Sequence, residues 1–354
     1  MKEKIKVCII GAGNISNTRH IPALKKLKNV EIIGVISDKQ EKIDSTCKKN
    51  NIPNGLLVDN PKNDIDKLKK CKWFKEVNAV LIGTPPKQHY PLVKLALLLD
   101  KDVLVEKPMT MSDKESKELL KLAKERKRIF NVVHNFQFTS GMKKMTEIIE
   151  NKIYGNIESI VEVQFSNRNR RLPSWYNDLP LGLFYDEAAH FTYLPLVHGG
   201  DLKVENVHAI YNNEKKDATP LSLSVDALAG KVPLHMVLNF NAPVCEWLYI
   251  VNFKERILIY DLFKDILINL KTDNEHYAKD ILKNDLSRSW QYWSGFIKNG
   301  VKMLSGNLLY GHETVIKKFI DSISSRKEDE SISADFGAKT VNAMLEICER
   351  VNKR

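Results

Sequence analysis

The 354-residue sequence lacks the long apolar runs and the cysteine pattern that mark membrane and secreted proteins. No stretch of about 18 apolar residues is present, so no membrane-spanning helix is expected. The apolar stretch before the first glycine, Val7–Ile10, is too short for the core of a signal peptide. The five cysteines show no C-x-x-C spacing, which is typical of reduced thiols and predicts a cytoplasmic protein. No His, Cys and carboxylate residues have the spacing of metal ligands, so no metal is expected.

Acidic residues are scarce in the first part of the chain. Residues 1–134 hold 28 basic and 16 acidic side chains, whereas residues 135–354 hold 27 and 28. The excess consists mainly of dispersed lysines, which we interpret as solvated; weak steering of a polyphosphate ligand is the alternative. Aromatic residues make up 8% of the chain and are not interleaved with these lysines, so no nucleic-acid surface is expected.

The first 134 residues alternate between short apolar runs and helical patterns. The apolar runs, which predict buried parallel strands, lie at 5–10, 30–36, 79–83 and 102–105. Ser112 followed by Glu115 predicts a capping box that opens a helix ending at about Arg128. Strands separated by helices of this length indicate a doubly wound parallel sheet.

After about residue 134 the pattern changes to a series of strand-like runs. They lie at 157–166, 203–211, 220–228, 232–240, 246–253, 256–261 and 264–270. These runs predict a largely antiparallel sheet with one covered face. Helices are predicted at about 140–152, 284–304, 312–325 and 335–352, and the aromatic residues spaced along the second of them predict helix packing. The sequence therefore predicts an α/β protein with a doubly wound domain at 1–134 and an α+β domain at 135–354.

Gly11 and Gly13 directly follow the first predicted strand, with Ser16 in the place of a third glycine. This position and spacing are typical of a dinucleotide-binding Rossmann turn, where glycine lets the pyrophosphate approach a helix N-terminus. The second strand ends at Ser37 and Asp38. An acidic residue there binds the ribose hydroxyls of NAD, whereas Ser37 followed by a lysine could accommodate the 2′-phosphate of NADP. NAD or NADP is therefore the expected cofactor, and we favour NAD.

Glu106, Lys107 and Pro108 follow the strand at 102–105, at the sheet edge where ligands bind. A proline there fixes a turn, is a candidate for a cis peptide bond and would direct Lys107 into the crevice. Three further motifs follow the same order along the chain: Gly83-Thr84-Pro85 with His89, Asn135-Phe136-Gln137-Phe138, and Asp186-x-x-x-His190. Together these motifs resemble the Gfo/Idh/MocA family, named for glucose–fructose oxidoreductase and inositol dehydrogenase.

The resemblance implies a nicotinamide-dependent oxidoreductase and a set of site residues. The implied catalytic residues are Lys107, Asp186 and His190. The implied cofactor-binding residues, beside Ser37 and Asp38, are Gly11, Gly13, Asn14, Ile15, Thr84, Pro85, His89 and Glu106. The family also implies a homodimer or homotetramer joined through the C-terminal sheet.

The sequence departs from the family's pattern near the implied site. Gln137 stands where arginine is usual, Ala188 where glycine is usual and Tyr193 where aspartate is frequent. These departures concern the substrate, so Gln137 and Tyr193 are substrate-binding candidates. Arg168 and Trp175 are two more, since arginine forks near aromatic rings could hold a diphosphate or a carboxylate; an exposed strand end making subunit contacts is the alternative.

The implied catalytic residues suit the oxidation of a secondary alcohol. The unperturbed pKa of histidine lies near neutrality, which favours His190 as the proton acceptor; Lys107 is the alternative, because burial beside a cationic cofactor lowers an ammonium pKa. Lys107 would also stabilise a forming alkoxide, and Asp186 could hold a sugar hydroxyl or orient the imidazole. We expect an NAD(P)-dependent oxidoreductase acting on a sugar, a cyclitol or a nucleotide-activated sugar. The alternatives are an NAD-dependent glycosidase that oxidises its substrate transiently and a catalytically silent cofactor-binding regulator.

Overall fold

The computed structural model describes residues 3–58, 65–211, 219–305 and 308–352. These residues form two compact units. The first unit comprises the described residues of 1–135 and 311–342, and the second comprises those of 136–310 and 343–354. None of the described helices combines the length and the apolarity needed to cross a membrane.

The first unit contains a six-stranded parallel sheet with the order β3-β2-β1-β4-β5-β6. Its strands are β1 (Ile5–Ile10), β2 (Val30–Ser37), β3 (Gly55–Leu57), β4 (Ala79–Ile82), β5 (Asp102–Val105) and β6 (Phe130–Val132). Every residue of β4 and β5 is buried, as expected for central strands covered on both faces. The strand order is that of a Rossmann fold, so the predicted doubly wound sheet is confirmed.

Helices connect the successive strands of this unit, and one further helix, α10 (His312–Ser325), comes from its C-terminal segment. A π-helical turn (Ser16–His20) leads into α1 (Ile21–Lys25), and the others are α2 (Gln40–Asn50), α3 (Ile65–Lys70), α4 (Lys72–Lys75), α5 (His89–Leu98), α6 (Asp113–Arg126) and α10 (His312–Ser325). The predicted capping box opens α6: the Glu115 N–H donates to Ser112 Oγ over 3.3 Å, and the Met111 N–H donates to the Glu115 carboxylate over 3.0 Å.

The second unit contains a seven-stranded sheet with the order β13-β12-β11-β7-β10-β9-β8. Its strands are β7 (Ile157–Asn167), β8 (Leu202–Ile210), β9 (Ser222–Ala229), β10 (Val232–Ala242), β11 (Glu246–Phe253), β12 (Arg256–Asp261) and β13 (Ile266–Lys271). The predicted largely antiparallel sheet is confirmed, with one exception: β7 and β10 pair in parallel. Burial alternates along β10, so the sheet has one covered and one open face.

Three helices lie wholly in the second unit, and a fourth belongs to it in part. They are α7 (Ser140–Glu150), α8 (Leu183–Gly199), α9 (Ala278–Leu304) and, from residue 343 onward, α11 (Ala334–Asn352). Helix α8 is buried along almost its whole length and contains Pro195.

The C-terminal segment 311–342 belongs to the first unit, whereas the sequence-based division places it in the second domain. Polar contacts hold it there: Arg326 pairs with the buried Asp102 at 2.7 Å, and the Phe130 N–H donates to Glu328 over 2.9 Å. Gly337 approaches Val132 so closely that a Cβ would lie 2.6 Å from its side chain. An amphipathic pattern shows that a helix packs on something, but not on which sheet.

Candidate functional site

A groove runs along the carboxyl edge of the first sheet, around the predicted glycine turn. Gly11 has a φ of +97°, and a Cβ on it would lie 2.5 Å from the carbonyl oxygen of Gly83. The Gly11 N–H donates to the Ile36 carbonyl and the Gly83 N–H to the Ile10 carbonyl, both over 2.8 Å. The loop is therefore held between β2 and β4 where only glycine fits. The groove is lined by Ile10, Gly11, Ala12, Gly13, Ile36, Ser37, Asp38, Lys42, Val58, Gly83, Thr84, Pro85, Gln88 and Leu92.

Ser16 occupies the place of the third glycine without opening the turn. It is fully buried, and its Oγ donates to the Gly11 carbonyl over 2.6 Å. A Cβ on Gly83 would lie 2.8 Å from this Oγ, so the serine closely contacts the loop after β4. Of the two residues before it, Asn14 is exposed and Ile15 half-buried, and neither is among the residues that line the groove.

A carboxylate that follows β2 and an ammonium group from the start of α2 both line the groove. Ser37 is buried and its Oγ donates to the Asp38 carboxylate over 3.2 Å. Lys42, in the first turn of α2, lines the groove together with Asp38. The sequence analysis considered the lysine directly after Asp38; Lys42, four positions after Asp38, is the basic side chain in the groove. Helical spacing from the strand end is the signal that could have identified it.

Thr84 and Pro85 line the same groove, whereas His89 is completely buried behind them. The two ring nitrogens of His89 lie 2.7 Å from the Pro108 carbonyl oxygen and 2.8 Å from the Thr84 carbonyl oxygen. Burial lowers the pKa of His89, and the two carbonyl groups oppose this shift only in part. His89 thus lies between the loop after β4 and the turn after β5, with each ring nitrogen within hydrogen-bond distance of a backbone carbonyl and one N–H to donate.

Glu106 directly follows β5 and lies in a buried cluster with two histidines. Its Oε1 lies 2.8 Å from His20 Nε2 and 3.6 Å from His312 Nε2, and its Oε2 accepts the Lys107 N–H over 3.3 Å. Burial by itself would raise the pKa of Glu106, but the hydrogen bonds and charges of His20 and His312 outweigh it and hold the pKa well below its usual value. The carboxylate therefore stays ionised and fixes the backbone at Lys107. The sequence analysis identified neither His20 nor His312.

The same cluster is the one group of possible metal ligands in the described chain, with its three ligand atoms within 4.8 Å of one another. A metal-bound imidazole usually donates its second N–H to an oxygen. Nδ1 of His20 has no hydrogen-bond partner among the described residues. The arrangement therefore fits a hydrogen-bonded triad better than a metal centre.

Lys107 is half-buried beside this triad, and the Lys107–Pro108 peptide bond, a candidate for the cis form in the sequence analysis, is cis. Its backbone is held on both sides: Glu106 accepts its N–H, and His89 binds the Pro108 carbonyl.

In the second unit, the first half of α8 carries the predicted acid and histidine. Asp186 is half-exposed in the first turn, and His190 is 8% exposed. Nδ1 of His190 lies 2.8 Å from the Tyr193 hydroxyl, which also accepts the N–H of Phe136 over 3.0 Å. Tyr193 is fully buried. Its hydroxyl therefore contacts the imidazole from the buried interior and orients it. This corrects the interpretation of Tyr193 as a substrate-binding residue, because no part of its side chain is exposed.

Aromatic rings enclose His190 on the other sides. The rings of Phe136 and Trp247 lie 4.9 and 5.6 Å from the imidazole, both edge-on. Gln137, next to Phe136, is buried. Arg168 is exposed at the end of β7 and Trp175 is half-buried. The structure thus brings His190 and Phe136 together and leaves Arg168 and Trp175 in the segment that follows β7.

The sequence analysis missed a buried ionic network beside Asp186. Glu187 forms an ion pair with Arg170 and accepts from the Gln164 amide over 2.6 Å. Burial raises the pKa of Glu187, and the Arg170 charge opposes the shift. The arginine-rich run containing Arg168 and Arg170 was the available signal, but only the fold shows that Arg170 is the member that turns inward.

Comparison with known proteins identifies relatives of this chain. Residues 5–134 match the model of the Gfo/Idh/MocA family, described as an oxidoreductase family with an NAD-binding Rossmann fold. An uncharacterised oxidoreductase of Schizosaccharomyces pombe is 28% identical over 254 residues, which cover 68% of this chain and 65% of that protein. The glucose-6-phosphate 3-dehydrogenase of Bacillus subtilis is 28% identical over 251 residues, 68% of each chain.

The fold is also found among solved structures. A putative NADPH-dependent oxidoreductase from Desulfitobacterium hafniense superposes with a TM-score of 0.77, covering 100% of this chain and 97% of that one. The two sequences are 16% identical, so this likeness shows the fold alone. Residues 5–134, which carry the motifs at Gly11 and Glu106, thus match the Gfo/Idh/MocA family of oxidoreductases, and the relatives are named as oxidoreductases and dehydrogenases.

Proposed function

We propose that this chain is an NAD(P)-dependent oxidoreductase that transfers a hydride between a secondary hydroxyl carbon of a carbohydrate-like substrate and nicotinamide. The observation that carries the proposal is the groove in which the glycine turn, the acid that follows β2 and the loop after β4 face one another. The Glu106–Lys107 turn follows β5, which pairs with β4, so this turn lies at the same edge of the sheet.

The residues of the groove suit a dinucleotide. The turn at Gly11 leaves no room for a side chain, and the Gly13 region precedes a helical turn whose N–H groups can hold a pyrophosphate. Asp38 suits the two ribose hydroxyls of NAD and repels a 2′-phosphate, whereas Lys42 would attract one. Because Ser37 donates its hydrogen to Asp38, the carboxylate is held at the strand end, and we propose NAD as the preferred cofactor.

The nicotinamide ring supplies the hydride acceptor when the cofactor is bound. His190 accepts the hydroxyl proton in the proposed reaction. To do so at Nε2, its Nδ1 must carry a hydrogen, and the Tyr193 oxygen lies 2.8 Å away to accept it. Tyr193 is therefore a positioning residue that holds the ring of His190 in place.

Lys107 and Asp186 complete the proposed catalytic set. An ammonium group stabilises negative charge on the substrate oxygen as the proton leaves, which is worth a few kcal/mol where water is excluded. Asp186 shares a helix face with His190 and is exposed enough to accept a neighbouring substrate hydroxyl. Glu106 and His89 are positioning residues, since they hold the backbone on either side of Lys107.

For the substrate, we propose a sugar, a cyclitol or an activated sugar. The glucose-6-phosphate 3-dehydrogenase among the relatives supports a polyhydroxylated ring. Gln137 is buried and follows Phe136, whose ring contacts His190, and we propose it as a substrate-binding residue. Arg168 and Trp175 are further candidates. All five cysteines are free thiols, which supports a cytoplasmic enzyme.

Titration calorimetry with NAD⁺ and NADP⁺, followed by a turnover screen over sugars, cyclitols and their phosphates, tests the proposal. We expect micromolar binding of one dinucleotide, and Lys107→Ala to lower turnover by about 10³-fold while leaving that binding intact. Lys114→Ala, at an exposed position on α6, is the matched control and should behave like the wild type. Failure to bind either dinucleotide would contradict the proposal.

A further inference from the structure

Three buried side chains from distant parts of the chain meet beside the backbone of Lys107. Glu106 is 8% exposed, His312 is 5% exposed and His20 is 1% exposed. His20 ends the π-helical turn that follows the glycine loop, Glu106 follows β5, and His312 is the first residue of α10. All of these residues belong to the first unit. The triad therefore joins three segments of one unit next to a residue of the proposed catalytic set.

The two oxygens of the Glu106 carboxylate have different partners. Oε1 lies 2.8 Å from Nε2 of His20 and 3.6 Å from Nε2 of His312, and the two imidazole rings are 6.1 Å apart. Oε2 accepts the backbone N–H of Lys107 over 3.3 Å. The imidazoles thus contact one oxygen and the Lys107 backbone contacts the other, so the histidines fix the rotation of the carboxylate that holds this backbone.

The histidines also keep the carboxylate ionised in a buried place. Burial alone would raise the pKa of Glu106, and the two histidines together hold it well below its usual value. A buried carboxylate that loses its partners takes up a proton. A neutral carboxyl group accepts a hydrogen bond less strongly than a carboxylate does, so the hold on the Lys107 N–H depends on the two imidazoles.

His20 reaches Glu106 from a helical turn of an uncommon type. The turn Ser16–His20 is π-helical, and single π-turns occur frequently at functional sites. The imidazole also packs against the loop after β4, since a Cβ on Gly83 would lie 3.0 Å from its Cε1. Gly83 itself lines the dinucleotide groove. His20 therefore lies between the wall of the groove and the carboxylate that holds the Lys107 backbone.

The C-terminal segment 311–342 contacts β5 at both ends of the strand. Arg326 pairs with the buried Asp102, the first residue of β5, at 2.7 Å, whereas His312 lies at the other end, beside Glu106. At about 3.3 Å per residue, the two contacts are about 13 Å apart along the strand. Both contacts attach the segment to the sheet, but only the contact of His312 lies beside the turn that carries the proposed catalytic lysine.

We propose that His20 and His312 are positioning residues for Lys107: by holding the Glu106 carboxylate, they fix the backbone from which the Lys107 side chain extends. Neither histidine contacts the substrate in this proposal. The inference rests on the proposed function, in which the Lys107 ammonium stabilises charge on the substrate oxygen. It gives the C-terminal segment, which the sequence-based division places in the second domain, a part in building the Lys107 side of the active site.

Leucine and glutamine variants separate the hydrogen-bonding role of the histidines from their packing. His312→Leu keeps an apolar side chain of similar volume and should lower kcat by about tenfold. The KM for the dinucleotide should stay unchanged, because His312 is not among the residues that line the groove. His20→Leu should lower kcat to the same extent, and His20→Gln should restore most of it, since the glutamine amide can place an N–H near the position of Nε2.

A double-mutant cycle tests whether His312 acts through Glu106. In the Glu106→Gln background, His312→Leu should change kcat by less than about twofold, because the carboxylate through which it acts is already absent. Arg326→Leu is the matched control: it breaks the pair with the buried Asp102 and should lower the melting temperature while leaving kcat within about twofold of its parent in both backgrounds. Equal losses of kcat from His312→Leu in the two backgrounds, or an equal loss in Arg326→Leu, would overturn the proposal.

Amide hydrogen exchange at Lys107, measured by NMR, tests the same role without any turnover. The Lys107 N–H should exchange about tenfold faster in His20→Leu and His312→Leu than in the wild type, because the Glu106 carboxylate that accepts it is released. Arg326→Leu should leave this amide unchanged. Unchanged exchange at Lys107 in both histidine variants would overturn the proposal. Faster exchange in a protein that turns over no substrate would support the positioning role and contradict the proposed function, so the two can fail separately.

Discussion

Replacing Tyr193 by phenylalanine removes one buried hydroxyl that serves two hydrogen bonds. The N–H of Phe136 loses its acceptor at 3.0 Å, and Nδ1 of His190 loses its partner at 2.8 Å. A buried N–H left without an acceptor costs about 1–3 kcal/mol. At about 2–4 °C per kcal/mol for a compact unit of roughly 150–250 residues, we expect the melting temperature of the second unit to fall by about 2–12 °C.

The catalytic effect should be larger than the effect on stability. Without the hydroxyl the imidazole loses the contact that orients it, and misplacing a catalytic group costs about 10–100-fold in rate. We therefore expect kcat to fall by that factor while KM for the dinucleotide stays unchanged, because Tyr193 lies in the second unit and the groove in the first. Steady-state kinetics with the dinucleotide concentration varied at saturating substrate measure both constants.

Tyr249 provides the matched control. It is as buried as Tyr193, and its hydroxyl lies 2.9 Å from Nδ1 of His198, a histidine outside the proposed catalytic set. Tyr249→Phe should lower the melting temperature and leave kcat within about twofold of the wild type. Equal kcat values for Tyr193→Phe and Tyr249→Phe would refute the positioning role of Tyr193.

Three further predictions concern charged groups. Asp38→Ala should shift the ratio of kcat/KM for NAD over NADP toward NADP by about tenfold, or 1.4 kcal/mol, in steady-state assays. The pKa of Glu106 is lowered in the folded protein. The ionised carboxylate therefore stabilises the fold above the unfolded pKa of about 4.5, and this stabilisation is lost as the pH falls further. The difference in melting temperature between the wild type and Glu106→Gln should shrink below about pH 4.5. The carboxyl of Glu162 shows the opposite behaviour: burial raises its pKa well above the usual value, and neither oxygen has a partner among the described residues. The wild type should therefore lose up to about 1.4 kcal/mol per pH unit relative to Glu162→Gln as the pH rises above about 4.5, which thermal scans across the pH range would show.

Elements governed by local patterns could be predicted from the sequence. The alternation at 232–240 correctly predicted β10 (Val232–Ala242), and the spacing of Ser112 and Glu115 correctly predicted the cap of α6. The glycine turn was predicted for a similar reason, since the requirement at Gly11 is set by the strand immediately before it and the helix immediately after it.

Contacts between distant segments could not be predicted. Nothing in the local pattern shows that β7 and β10 pair in parallel, or that His312 packs beside Glu106, more than 200 positions earlier in the chain. The same holds for α9: its aromatic residues are spaced as in a packed helix, but Trp290 and Trp293 are exposed in the fold, so the predicted helix packing is wrong for these two residues.

Isotope transfer measures the central claim most directly. A substrate from the turnover screen, deuterated at the carbon that bears the reacting hydroxyl, is incubated with the protein and oxidised dinucleotide, and the reduced dinucleotide is analysed by mass spectrometry. Hydride transfer predicts one deuterium per reduced nicotinamide, at a rate that falls with His190→Ala and Lys107→Ala but not with Lys114→Ala. Reduced dinucleotide without deuterium, or equal rates in all three variants, would contradict it.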